Sequence, residues 1–285
     1  MKNFRFSPIK ASSQSGLTLI EVLVSMALGV FFLGIAIQYL VVGQQSNQVQ
    51  DAGSRIQENA RFANNLLREA IRLSGYTSNI NILPDFIFVG NCGGFNPCSG
   101  DEIIPGANVG DSIAVSLIAD GDISQDCLGN GVAVNTRFAN VFWVQDVNGV
   151  RSLYCRGWDL DAGAGGNGAW ISASQPLVDG IEQMQVQYGL RSVAIDEEER
   201  GGQVERFLSA AGVDAIDGWL HVRSVRVSLL VESGLVTRES NFSGAVALQS
   251  DSRTYALLDG PDYTLTDDRI RRVYTSTIEL NNSFQ

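Results

Sequence analysis

Few residues in this sequence have the type and spacing that chemistry needs. The one histidine, His221, sits inside a run of strand-forming residues, so Ser–His and Cys–His schemes lack a base and the side chain reads as a strand residue. Asp120-Gly121-Asp122-Ile123-Ser124-Gln125-Asp126 places acids at alternate positions, as a calcium loop does, but the other ligands of a twelve-residue loop are missing. Asp120, Asp122 and Asp126 are therefore weak calcium candidates beside the plainer reading of an acidic turn without metal. Asp159-Leu160-Asp161 is weaker still, and Asp196-Glu197-Glu198-Glu199-Arg200-Gly201-Gly202 reads as a solvated loop. Cys92, Cys98, Cys127 and Cys155 are even in number and clustered, which suits disulfides in an oxidising compartment. Zinc is disfavoured because no Cys-x-x-Cys pair exists and His221 is remote. Three pairings remain open from the residues alone. No catalytic constellation emerges, so the expectation is a protein that is not an enzyme and has no cofactor.

One acid stands in an unusual place. From Leu17 to Val42 the chain is apolar except for Glu21, and the next charge is Asp51. As a helix this stretch rises about 39 Å, enough to cross a hydrocarbon core of about 30 Å. Residues 1–16 carry Lys2, Arg5 and Lys10 and no acid, which keeps the N-terminus cytoplasmic and sends the bulk of the chain outward. A secretory signal would have a shorter apolar core followed by a small-x-small site. A plain signal anchor leaves Glu21 unexplained, although a carboxylate in mid-bilayer costs about 2–3 kcal/mol.

Ser15-Gly16-Leu17-Thr18-Leu19-Ile20-Glu21 resembles the prepilin peptidase site of type IV pilins and pseudopilins, with Leu17 where the family most often has Phe. The resemblance implies cleavage after Gly16, an N-methylated mature N-terminus at Leu17, and retention of the apolar helix as filament core. It makes Glu21 the fifth mature residue. There it can pair with the amine of a neighbouring subunit and set the axial register, a use of a buried ion pair for specificity.

The elements that must carry these residues divide the chain. The six prolines leave none between Pro8 and Pro84, while glycine and turn residues crowd in after Gly75. Val49, Ala52, Ile56, Ala60, Ala63, Leu67 and Ala70 recur at three- and four-residue steps, extending the helix to residue 74 with Gly75 as its C-cap. Such a helix is about 87 Å long. Beyond it, Val141–Val147 and Val150–Cys155 flank Asn148-Gly149, a primed hairpin turn. Met184, Val186 and Tyr188 alternate with Gln183, Gln185 and Gln187 as a half-buried strand. Val225, Val227, Leu229 and Val231 alternate with polar residues, while Leu220 and Val222 lie on the other parity, predicting a bulge near Arg223. A last strand runs from Ile270 to Leu280. Strands and helices do not alternate, so the expectation is α+β: a long N-terminal helix packed on a mainly antiparallel sheet. The boundaries are a leader at 1–16, a helix at 17–75 with 17–42 transmembrane, and a β-rich extracytoplasmic domain at 76–285.

The charge fits that picture. The whole chain stands at −11, and losing Lys2, Arg5 and Lys10 with the leader takes it to −14, which argues against nucleic acid.

Asp126-Cys127-Leu128-Gly129-Asn130, Leu153-Tyr154-Cys155 and Pro176 through Glu182 into Val186-Gln187-Tyr188-Gly189 look like PilW-family minor pilins, as do Val225–Glu232 and Arg272-Val273-Tyr274-Thr275-Ser276-Thr277. This resemblance implies a Cys127–Cys155 disulfide, with Cys92–Cys98 closing a small loop. It implies a minor subunit at or near a pilus tip that primes assembly. The implied partners are other minor pilins, the major pilin, a tip adhesin, the prepilin peptidase and the inner membrane, which the chain crosses once before reaching the cell surface in a pilus. The alternatives are a J-like minor pseudopilin of type II secretion and an adhesive or calcium-responsive tip module.

Overall fold

The computed structural model describes residues 16, 18–76, 99–101, 110–163, 168–191, 204–233, 252–267 and 269–281. Cys92, Cys98, Leu17, the leader before Gly16 and the acidic run at 196–202 lie outside them.

Helix α1 spans Leu19–Leu73 without interruption at Gly29, Gly34 or Gly43. Gly75 ends it at φ +70°, the left-handed conformation of a helix C-cap, and its N–H donates to the carbonyl of Ser116 at 2.9 Å. The chain divides within this helix into two compact units, residues 1–50 and 51–285. In the second unit, Ala52, Ile56, Ala60, Ala63 and Leu67 are buried as their spacing predicts. Val49 is exposed and Ala70 only half-buried, because Ile71 takes the last inward position.

The strands of the second unit make two antiparallel sheets. In the first, β1 (Ile113–Ile118), β2 (Arg137–Val147) and β3 (Val150–Asp159) lie in sequence order, and β3 also pairs β4 (Ala169–Trp170) and β5 (Gln175–Asp179). Asn148 and Gly149, at φ +57° and +81°, form the primed turn that the Asn-Gly pair calls for. The second sheet has the order β11 (Arg271–Glu279), β8 (Val222–Glu232), β6 (Ile181–Arg191), β7 (Val204–Leu208). A hairpin of β9 (Ser252–Tyr255) and β10 (Tyr263–Thr266) stands apart, and a short helix α2 (Ala210–Asp214) follows β7. One apolar core joins the α1 stripe to Ile113, Phe142 and Leu153 of the first sheet and to Met184, Tyr188, Val227 and Leu229 of the second.

The two sheets meet at Gly110 and Asp111. Gly110 forms a parallel bridge to Met184 at φ +91°, and a Cβ there would lie 2.1 Å from the Met184 carbonyl oxygen, so only glycine fits.

Several sequence readings change at this level. The β6–β8 register skips Arg223, passing from Gly189↔Ser224 to Leu190↔Val222, so the expected bulge is present. Leu220 and His221, however, belong to a 3₁₀ turn (Trp219–His221) that precedes the strand, and Leu220 is exposed. β6 is buried on both faces rather than half-buried. Gln183 and Gln185 are covered, and Gly260 sits so close that a Cβ on it would lie 2.5 Å from the Gln185 Cδ. Ser224 and Ser228 are buried likewise. A polar alternation in sequence therefore marks buried side chains here, with Gly260 after β9 closing over Gln185 and Thr275 of β11 meeting Ser228.

Candidate assembly surface

The described apolar side chains of the N-terminal unit are exposed. Thr18 accepts the N–H groups of Glu21 and Val22 and so opens α1, and the Ser25 hydroxyl donates to the Glu21 carbonyl at 2.7 Å. Leu19, Ile20, Met26, Val30, Phe31, Phe32, Tyr39 and Leu40 are all more than half exposed. The segment is long and apolar enough to cross a membrane, with a mean hydropathy of 2.4 in its most apolar stretch. Gly16 and Glu21 are both exposed. Glu21 lies in the first turn, where the positive end of the helix dipole favours an anion. A surface that is continuously apolar, interrupted by one carboxylate, can bury itself only in lipid or among similar helices.

In the second unit, Cys127 and Cys155 form a disulfide with Cα atoms 6.4 Å apart. The loop bearing Cys127 is folded around Asp126. That carboxylate accepts the N–H groups of Leu128 and Asn130 and the Asn130 side-chain amide. Gly157 on β3 makes room for it, since a Cβ there would come 2.4 Å from the Asp126 Oδ2. The Cys127 N–H donates to the Asn140 side-chain carbonyl at 2.9 Å, which fixes the loop to β2.

Two of the three acids proposed for calcium, Asp120 and Asp126, are thus engaged locally. Asp120 accepts the N–H groups of Asp122 and Ile123, Asp126 is occupied as above, and Asp122 is exposed. Among the described residues no three His, Cys, Asp or Glu side chains gather as a metal site. Asp161 pairs with Arg137 at 2.8 Å, and Asp159 accepts the N–H groups of Asp161 and Ala162. Burial holds His221 below its ordinary pKa, helped by the charges of Arg191 and Arg223. Trp143, Tyr154 and Trp158 are buried, so these rings offer no solvent-facing platform for a sugar or peptide.

Two polar groups escaped the sequence reading. Asp111 accepts the Val186 N–H at 2.7 Å and donates its own N–H to the Met184 carbonyl. Near the start of β6, Arg271 is buried between Glu182, which it contacts through Nε and Nη2, and Asp267. Arg269 reaches Glu232 at 2.6 Å. Burial pushes the Glu232 carboxyl up, opposed by its bond to Arg269. The only sequence trace of this network is a glutamate near the start of β6 and another at the end of β8, at 182 and 232, with the arginines at the start of the closing strand.

The family described as type IV pilus-assembly protein W matches residues 141–282. The prokaryotic N-terminal methylation motif matches residues 11–37. No curated protein matches the sequence. A solved type IV-like pilin from Thermus thermophilus is 14% identical and overlaps with a TM-score of 0.31, over 61% of this chain and 79% of that one, which is too loose to fix any detail.

Proposed function

We propose, for a chain that belongs to the PilW family of type IV pilus-assembly proteins and carries the prepilin methylation motif, the role of a minor pilin at or near the filament tip that primes assembly. The observation that carries this reading is a motif at residues 11–37 leading directly into an exposed apolar helix, followed in the same chain by the PilW region.

On this reading the prepilin peptidase cuts between Gly16 and Leu17, and the new Leu17 amine is methylated. Residues 17–42 hold the subunit in the inner membrane, with residues 76–285 on the outer side, until it joins other minor pilins, the major pilin and a tip adhesin. The Glu21 carboxylate, which has no ion-pair partner among the described residues, then meets the amine of an adjacent subunit. Lateral burial of Leu19, Phe31, Phe32 and their neighbours supplies the attraction, and the charge pair sets the axial register.

Sheared pili labelled with gold-conjugated antibody to residues 110–281 test the placement. Label at one filament end is the expected result; label along the length removes the tip role, and bare pili remove the pilin role. Intact-mass analysis of the membrane-bound chain tests the processing. It should begin at methylated Leu17, and Gly16→Ala should remain uncut.

A further inference from the structure

The edge of a sheet presents unpaired N–H and C=O groups, and proteins guard it with short strands, proline, bulges or cover. Most described edges here are guarded. β4 has two residues, β9 and β10 four each, and β7 five with a register shift against β6. β5 carries Pro176 and a shift of its own against β3. β1 is covered where Gly75 donates to Ser116 and where Ser112 bridges Gly100. Among the described residues, β11 has none of these devices. It is nine residues long, lacks proline and glycine, and keeps one register from Arg271↔Glu232 to Glu279↔Ser224.

The ladder fixes which groups face outward. Ser233 N–H donates to the Ile270 carbonyl and Leu280 N–H to the Arg223 carbonyl, so the even-numbered residues from 270 to 280 turn their backbone toward β8. The backbone groups of Val273, Thr275 and Thr277 therefore point away from the sheet, and all three residues are exposed. Next to the end of this edge, Arg68 and Arg72 of α1 line a groove with Thr277, Ile278, Glu279 and Asn281. Two guanidinium groups against the single Glu279 carboxylate leave this groove positive beside the strand, on a chain of net charge −11, and so favour an acidic occupant.

We propose that β11 is a docking edge that takes up an extended acidic segment of a partner subunit as an added strand, with a carboxylate opposite Ile278 meeting Arg68 and Arg72. A second copy of this chain fits badly. Antiparallel self-pairing about Thr275 would put the other copy's Arg272 opposite Ile278, so that three guanidiniums share one groove with the single Glu279 carboxylate. Main-chain hydrogen bonds supply the affinity of such an addition, and the arginines supply its specificity. That the partner belongs to a pilus rests on the function proposed above; the strand addition does not.

The test uses the full chain in detergent and a fluorescent peptide, Thr-Val-Thr-Val-Glu-Val-Thr-Val-Thr, beside a version with Lys at the centre. The Glu peptide should bind saturably and slow hydrogen exchange at Val273, Thr275 and Thr277, and the Lys peptide should bind roughly tenfold more weakly. Val273→Pro removes an outward N–H and no ladder bond, so the fold survives while peptide affinity falls roughly tenfold or more. Arg68→Glu, on an exposed helix face, should reverse the preference between the two peptides. Absent protection at these three amides, unchanged binding by Val273→Pro, or cross-links between two copies through β11 would each overturn the docking edge. Peptide capture by a chain that never enters pili would uphold the edge and remove its pilus partner.

Discussion

Asp111 receives the backbone N–H of Val186 at 2.7 Å across the junction of the two sheets, and its carboxyl is pushed up to about 7. Burial is the main cause, set against the Val186 hydrogen bond, with the negative charges of Asp101 and Asp259 adding to the rise.

A carboxyl raised from 3.8 to about 7 on folding makes the native state hold a proton that the unfolded chain releases. Its contribution to stability is complete below about pH 4 and is lost as pH rises to about 7. Between those limits the parent should lose roughly 2–4 kcal/mol relative to Asp111→Asn, whose amide stays neutral. Urea unfolding of both proteins at pH 4.5, 6 and 8 measures the difference. A difference that does not change with pH would place the titration elsewhere.

The Cys127–Cys155 bridge closes a loop with a sequence separation of 28 residues, which the chain-entropy estimate values at about 3–4 kcal/mol. Cys127→Ala is the cleaner removal, because Cys155 is fully buried and a serine hydroxyl there would need a partner. The variant should unfold at lower urea by that amount, and non-reducing peptide mapping of the parent should recover the 127–155 cross-link. Equal midpoints for parent and variant would show that the Asp126 turn holds the loop unaided.

Arg271→Met should cost roughly 3–5 kcal/mol, because it strands Glu182 and Glu232 beneath the surface without their buried cation. Arg269→Met should cost clearly less, since that side chain is 29% exposed and water can replace it. Equal losses in the two variants would contradict this ranking of the arginines.

Glu21→Ala should leave export, cleavage and folding intact and lower pilus number when it replaces the normal subunit. Glu21→Gln keeps size and hydrogen bonding but removes the anion, so it should fail similarly. Counting pili by electron microscopy decides the matter. Normal assembly by the glutamine variant would rule out charge pairing with a neighbour's amine.

The sequence revealed what depends on local chemistry. The Asn148-Gly149 turn, the α1 stripe with its Gly75 cap, and the bulge at Arg223 were each legible because a few adjacent residues determine them. Gln185 and Ser228 misled, since period-2 polarity normally reports solvent, whereas Gln185 is covered by Gly260 some seventy residues downstream and the Ser228 hydroxyl meets Thr275 of β11. His221 was misplaced by continuing strand periodicity through a 3₁₀ turn. Asp111 and the Arg271 network left almost no trace, because a buried acid and an exposed one look alike until the fold brings their partners together.

The two sheets occupy separate stretches of chain, β1–β5 before Asp179 and the second sheet after Ile181. For a polypeptide made from its N-terminus, this sets a timetable. The β2–β3 hairpin can close in about 1–10 μs. At about 5–20 residues per second, the roughly 50 residues from Gly180 to the end of β8 at Glu232 need on the order of 3–10 seconds to appear. Through that interval the inner faces of Ile113, Phe142 and Leu153 must wait for β6 and β8, and the nearest cover already delivered is the stripe of Ile56, Ala63 and Leu67. By having emerged first, the helix can act as an intramolecular chaperone for the nascent half-domain.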